Sequence, residues 1–486
     1  MSPSFNHIKV IILAAGQSRR MDPLPDKNFL KFCGKPLITW QVEQIMRAGF
    51  RDVAVIGGRH NLEELRAIAS GESVMELDKK FRPGSEKKSK LSQQKAKCFL
   101  EVLEQKKLED GMAGAVLAAE TWVGDSPFLV VSSNDIVDDS IFEVLKKAVR
   151  DMGKRDLAGF LIAKKVEVYF PGGYLNIKGD LITDIVEKPG AGKEPSDLVN
   201  IVFHLHLQPN KLFTTLKKVK TNRDDRYEVA LSSIIQAGTG TGAGATYVAL
   251  PYTGFWQPIK YPWHLIFVWK KLFEMFIGAS KGKKNVQKIS KKASVSKSAC
   301  IRGNVVIEDG VKVFDHAVIQ GPAYIGKNSI VANNALVRDS HLGEGSVAGY
   351  GTEIARSYLS DRVWTHTNYI GDSIIGSGSS FGSGSITGNL RLDEGPISVM
   401  IGEDKVACGS NKLGAIVGEN VRIGINVSLM PGVKIGNNCF IGGGISVAKD
   451  VPDSKYVYGK WELTMKDNTA KVDPSARELM MRKLKG

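Results

Sequence analysis

The chain has 486 residues, 43% of them hydrophobic, and a formal net charge of +15, enough material for two cored domains. No run approaches eighteen apolar residues, and the opening MSPSFNHIK has neither a charged n-region nor a small-residue cleavage site, so the expectation is a cytoplasmic protein that neither spans a membrane nor is secreted. The excess charge is local: residues 79–107 carry ten Lys or Arg against three Glu, and residues 281–297 carry seven Lys and no acid, neither patch interleaving the aromatics a base-stacking surface would need, which makes solvated segments the first reading and nucleic-acid contact a subordinate one.

In chain order, Val10 to Leu13 is a short apolar run of the kind a buried parallel strand needs, and it stops at Ala14-Ala15-Gly16. Small residues there and at Ser18 let backbone N–H groups approach an anion, and Arg19, Arg20 and Lys27 add three cations, so the loop reads as a phosphate cradle. It is neither a Walker loop nor a dinucleotide fingerprint, because the required Gly-Lys-Ser/Thr and the later glycines are missing. Residues 37–49 have helical apolar spacing with a terminal glycine, and residues 53–57 read as a second strand. The same alternation continues to about residue 250, which predicts a doubly wound, Rossmann-like α/β sheet with ligands at the carboxyl ends of its strands.

Residues 71–107, Lys-rich and poor in apolar side chains, break the alternation and read as a basic insertion. Asp135 follows the apolar run beginning at Phe128, a placement where a carboxylate is costly unless paired or bound to a cation. Capping of the helix that starts near Ser140 is its bland alternative. His204 and His206 share one face of a strand without a third ligand and read as packing residues. The five cysteines, Cys33, Cys98, Cys300, Cys408 and Cys439, are far apart with no C-x-x-C pair, which argues against both a disulfide framework and a zinc site.

Residues 263–277 can form a bridging helix, followed by a Lys-rich linker to 297. Then the period changes. Ile301, Ile307, Val313, Ile319, Ile325, Val331 and Val337 recur every six residues, as do Val417, Ile423, Leu429, Ile435, Ile441 and Val447. That is the hexapeptide repeat of a parallel β-helix, whose flat faces favour a trimer. The division expected is 1–260 for the first domain with its insertion at 71–107, 261–297 for helix and linker, 298–452 for the prism, and 453–486 for a tail with a short helix.

The residues Leu13-Ala14-Ala15-Gly16, Arg20-Met21, Lys27 and Gly34-Lys35-Pro36-Leu37 resemble the signature loop of the sugar-1-phosphate nucleotidylyltransferases. The resemblance implies that Leu13, Ala14, Ala15, Gly16, Gln105 and Gly111 bind a nucleoside triphosphate, that Arg20 and Lys27 act on its phosphates, and that Asp135 holds Mg2+. It implies that Gly173, Glu187, Lys188 and Asn200 hold a sugar-1-phosphate. Pro258 stands where the family carries a second metal-binding Asp or Asn, so a neighbouring group substitutes, or the ion rests on Asp135 and substrate phosphates, or transfer is weakened. The later segments, His366 to Asp372, Gly382 to Asn389 and Lys412 to Gly418, resemble the bifunctional uridylyltransferase/glucosamine-1-phosphate acetyltransferases, and still more their archaeal-type relatives. This makes the β-helix left-handed and His366 a general base, with Tyr369, Asn389, Arg391 and Lys449 contacting amino sugar and acetyl-CoA; Ala355 and Ser380 replace a Lys and an Asn of that family. The function implied is UDP-N-acetylglucosamine synthesis from UTP, with a second acetyl-transfer activity, in a homotrimer. The alternatives are a single-activity glucose- or mannose-1-phosphate nucleotidylyltransferase whose prism only oligomerises, and a catalytically degenerate regulatory subunit.

Overall fold

In the computed structural model the described residues are all but 1–4, 6, 71–98, 154, 222–224, 241–245, 279–284, 461, 472 and 486. The first domain is built on a nine-stranded sheet. Its strands are β1 (Lys9–Leu13), β2 (Asp52–Gly58), β3 (Phe99–Gln105), β4 (Phe128–Ser132), β6 (Leu157–Lys165), β7 (Gly173–Lys178), β8 (Leu181–Glu187), β9 (Leu198–His206) and β10 (Thr246–Pro251), in the spatial order β3-β2-β1-β4-β9-β6-β10-β8-β7. The short strands β5 (Asp135–Val137) and β11 (Trp256–Pro258) pair separately. Pairing is parallel from β3 through β4 and antiparallel on both sides of β9. β1 is parallel to both β2 and β4. Chain order therefore reverses at β1, and a crevice opens beyond the carboxyl ends of β1 and β4.

β1 keeps Val10, Ile11 and Ile12 fully buried, as its unbroken apolar run requires. α1 (Leu37–Arg47) buries Leu37, Ile38, Val42 and Ile45 along one stripe. The expected insertion is shorter than 71–107. Residues 71–98 lie outside the described set, but β3 pairs in register with β2 from Phe99 to Gln105, because Leu100, Val102 and Leu103 supply enough apolar surface for an edge strand while Glu101 stays exposed.

The second domain is the expected parallel β-helix, consistent with the left-handed kind. Val305 pairs with Ala323 and Arg422 with Phe440, eighteen residues on, which is three hexapeptides per coil. Ile319, Ile325, Val331, Val337, Val417 and Ile435 are fully buried inside it. Coiling already starts at Gln287–Ile289, inside the stretch expected to be linker, and runs to Tyr456–Val457, inside the expected tail. The inward packing of Ala293, Val295 and Val457 extends the core to both ends. Between Ile375 and its partner Val417 the chain leaves the prism as an excursion containing the hairpin Ser398–Ile401 with Asp404–Ala407.

The domains share a core. α2 (Leu265–Ile277), the expected bridging helix, buries Val268, Trp269, Leu272 and Phe273 together with Phe32 and Trp40 of the first domain and Tyr324, Tyr358 and Ile374 of the prism. A small hairpin of Lys31–Phe32 and Lys35–Pro36, continuous with the phosphate-cradle loop, is seated on the rungs. Cys33 donates its N–H to His341 Nε2 at 3.2 Å, the Tyr358 hydroxyl donates to the Lys31 carbonyl at 2.7 Å, and Lys31 meets Asp361 at 2.7 Å. Tyr324, His341 and Tyr358 stack on successive coils with centroids 5.0 and 4.8 Å apart. Among the described residues Cys33, Cys300, Cys408 and Cys439 are free thiols, and Cys98 lies outside the described residues.

Candidate functional site

The loop after β1 is held from behind. Ala14 is buried and its carbonyl accepts from Asn28 Nδ2 at 3.1 Å and Asn61 Nδ2 at 2.9 Å, so it anchors the loop and does not face the cleft. Asp26 accepts from Ser18 Oγ, from Asn61 Nδ2 and from the Asn28 backbone N–H, which closes the loop as a ring. What remains free faces a cleft of about 820 Å³ whose wall includes Leu13, Ala15, Gly16, Arg20, Lys27, Gln105, Gly111 and Lys188 of the expected residues. Lys27 is only 7% exposed, and burial lowers its ammonium below the ordinary lysine range while Asp26 and Asp135 pull the other way. Gln105 spends both amide hydrogens on the carbonyls of Lys107 and Gly111, at 2.9 and 2.8 Å, leaving its Oε1 as an acceptor in the cleft wall.

A second cavity of about 590 Å³ adjoins the first and shares Met112 and Lys188 with it; Glu187 and Tyr227 are in its wall. Gly173, Glu187 and Asn200 converge: a Cβ at position 173 would stand 3.0 Å from Glu187 Oε2 and 3.3 Å from Asn200 Nδ2. Glu187 Oε1 lies 3.1 Å from Lys188 Nζ. Asn200 is oriented by a buried relay. Its Oδ1 accepts from His204 Nε2, His204 Nδ1 accepts the Tyr227 hydroxyl at 3.0 Å, Tyr227 accepts from His206 Nε2 at 2.9 Å, and His206 Nδ1 accepts the Tyr247 hydroxyl at 2.8 Å. This direction satisfies every group, and it requires neutral imidazoles; burial pushes His204 down to about 3 and holds His206 well below its ordinary value. The two histidines therefore pack, as expected, and also fix the Asn200 amide, whose Nδ2 lies beside Gly173.

Asp135 opens β5, opposite Pro258 of β11. Its Oδ1 accepts from Trp256 Nε1 at 2.8 Å, and burial pushes its carboxyl up to about 6. Among the described residues no three His, Cys, Asp or Glu side chains gather to hold a metal. The donors present fit a hard divalent cation in one way only, with a single Asp135 oxygen and the remaining positions filled by substrate phosphate and water. Lys260, two residues beyond Pro258 and unassigned by sequence reasoning, also lines the cleft. Its Nζ donates to the Pro171 carbonyl at 3.2 Å and stands 3.8 Å over the Phe170 ring. Burial lowers it to about 8, against the opposing pull of Asp135. Its spacing of two from Pro258 is the signal that could have found it.

On the prism, Asn389 Nδ2 donates to the Tyr369 hydroxyl at 3.1 Å and to Asp372, which Arg356 grips through Nε at 2.7 Å and Nη2 at 2.6 Å. Arg356 and Asp372 were not among the expected residues, although Asp372 closes the motif that carries His366. His366, three residues before Tyr369, is exposed, and its backbone N–H donates to Asn368 Oδ1. The structure does not gather the other two expected residues: Arg391 is turned onto Asp393, and exposed Lys449 follows Ser446–Val447, which is three rungs from Tyr369 on the same face.

Comparison with known proteins agrees with this division. The nucleotidyl transferase family matches residues 9–257, and the bacterial transferase hexapeptide (six repeats) matches residues 304–339 and 414–444. The bifunctional protein GlmU of Methanococcus maripaludis is 34% identical over 466 residues, covering 94% of this chain and 98% of that protein. The protein of the same name from Methanocaldococcus jannaschii is 30% identical over 93% of this chain and 98% of its own length. The bifunctional sugar-1-phosphate nucleotidylyltransferase/acetyltransferase of Sulfurisphaera tokodaii is 29% identical over 91% of this chain and 98% of its own.

Proposed function

The chain belongs to the nucleotidyl transferase family, in the two-domain form that carries hexapeptide repeats, and from that premise we propose that it joins a nucleoside triphosphate, UTP in the first instance, to an N-acetylhexosamine-1-phosphate with release of pyrophosphate. The observation that carries the proposal is the sharing of Lys188 between two adjoining cavities, one walled by the anion-binding loop and the other by Glu187, beside which Gly173 and Asn200 gather. A cation at that junction sits where two phosphates must meet.

A phosphate oxygen of the sugar substrate attacks the α-phosphorus, the bond from α-phosphorus to the bridging oxygen breaks, and pyrophosphate leaves with the electron pair. No covalent protein intermediate is required, so the protein's contribution is position and charge. The small residues Ala15 and Gly16 let backbone N–H groups approach the triphosphate, and Arg20 and Lys27 take the charge that collects on the leaving pyrophosphate. Lys188 orients the attacking phosphate, while Glu187 accepts from one sugar hydroxyl and Asn200 donates to its neighbour. Gln105 Oε1 accepts from a base N–H, which suits the imide of uracil. Asp135 would hold Mg2+, which supplies further charge neutralisation when bound.

A second activity, acetyl transfer from acetyl-CoA to the amino group of glucosamine-1-phosphate, is supported by the exposed His366 and by the Tyr369–Asn389 pair that follows it in the chain. A neutral imidazole can take the amine proton near neutral pH. A panel of nucleoside triphosphates crossed with hexose and hexosamine phosphates, scored by pyrophosphate release, tests the first proposal. Acetyl-CoA consumption by wild type and not by His366→Ala tests the second; an equal rate in both would leave the prism an oligomerisation module. Failure of every pair to release pyrophosphate would make the chain a degenerate subunit.

A further inference from the structure

We propose that Lys260 is a catalytic residue, a fixed cation on the α-phosphate of the bound nucleotide that lets the cleft hold a triphosphate without a divalent ion. The inference rests on the nucleotide reading of the cleft. Its starting point is the ladder between β5 and β11, where Asp135 faces Pro258, a residue with no side-chain donor to give a metal. The ladder continues one step further, the Ile259 N–H donating to the Asn134 carbonyl at 2.8 Å. With a period of two, Trp256 and Pro258 share the face toward Asp135, the indole of the first already occupies one of its oxygens, and Lys260 follows two residues beyond.

Lys260 is the group at this junction that feels each functional quarter of the site. Arg20 of the loop, Asp135, and Lys188 and Glu187 of the sugar cavity all lie close enough to act on its charge. Arg20, assigned to the leaving pyrophosphate, Lys188, assigned to the attacking phosphate, and Lys260 line one cleft, which puts the ammonium within reach of the phosphorus being attacked. Its stem is held rather than free: Nζ donates to the Pro171 carbonyl and rides over the Phe170 ring at 3.8 Å, so little side-chain entropy is lost when phosphate arrives. A second carboxylate at 258 would have added negative charge and recruited a metal to cancel it. A proline at 258 with an ammonium at 260 reaches the same net balance with no ion at that point.

The test is equilibrium binding of UTP to the full chain in EDTA and again in magnesium, by titration calorimetry, for wild type, Lys260→Met and Lys260→Arg. One charge-assisted contact implies that Lys260→Met weakens binding in EDTA about 10- to 100-fold, that the loss is smaller in magnesium, and that Lys260→Arg restores most of it. Equal affinity of wild type and Lys260→Met in EDTA, with both folded by thermal melt, overturns the inference. So does a wild type that binds only with magnesium. A wild type that binds in neither condition overturns the nucleotide reading itself, and the role of Lys260 with it.

Discussion

Asp135 shows how far the site has been set against stability. Its carboxyl is held at about 6 by burial, so at neutral pH it is ionised in the fold at a cost that a neutral side chain would not carry. An acid raised in the folded state destabilises above its unfolded value, near 4, with the full effect reached above pH 6 and none below pH 4. Asp135→Asn is therefore expected to stabilise the protein by about 2 kcal/mol at pH 7 in urea titrations, to show no advantage at pH 4, and to lose nucleotidyl transfer. The relay behind Asn200 has the opposite sign. His204 and His206 are neutral in the fold, so their contribution is intact above about pH 6.5 and falls by about 1.4 kcal/mol per pH unit per imidazole below it. His204→Phe should remove one proton from that acid slope and raise the KM for sugar phosphate about tenfold with kcat nearly unchanged, because Asn200 then loses its orientation but the reacting phosphates keep theirs. Lys27 and Lys188 were legible in the sequence because they sit inside local motifs. Lys260 offers only its spacing from Pro258, and the relay offers nothing local, since Tyr247 comes to it from another strand and Tyr227 from the helix Arg226–Gly240.

Among elements, the hairpin of Lys31–Phe32 with Lys35–Pro36 joins the phosphate loop to the prism. Gly34 at its tip has φ +78°, and a Cβ there would meet the Tyr324 hydroxyl at 2.9 Å. Gly34→Ala is expected to cost about 1 to 3 kcal/mol in denaturant titrations from strain and contact together. Nucleotide affinity should fall with it, since the hairpin that lifts is continuous with Lys27. Adding Tyr324→Phe should return the contact part of the loss and leave the backbone part; no recovery would mean that the ring does not touch the tip. The six-residue period gave the coils away because a rung is a local unit, its inward residue followed by a corner every six positions. Strand β3 was concealed by the charged run beside it, and the prism's first coil by the lysines around Gln287–Ile289. In β3 composition described the solvent side of a strand whose other side packs, whereas Gln287–Ile289 is exposed throughout and is held in the coil by backbone pairing with Val305–Ile307.

For the molecule as a whole, the prism presents aromatic side chains outward on one ladder: Trp364 at 60%, Phe440 at 55% and Tyr456 at 66% exposure. Faces of this kind are expected to close around a threefold axis, giving sedimentation at three times the chain mass of 52.9 kDa, with Trp364→Glu shifting the population to monomer. Acetyl transfer should fall in that monomer before nucleotidyl transfer does, because Lys449 and His366 are rungs apart within one chain while the nucleotide cleft is complete in one. The central claim is displacement at the α-phosphorus by a sugar phosphate. Parallel reactions with α-labelled and γ-labelled nucleotide test it most directly: the α label is expected in the nucleotide sugar and the γ label in pyrophosphate, both only when sugar phosphate is present. Recovery of the γ label as free phosphate, or of the α label as nucleoside monophosphate, would contradict it.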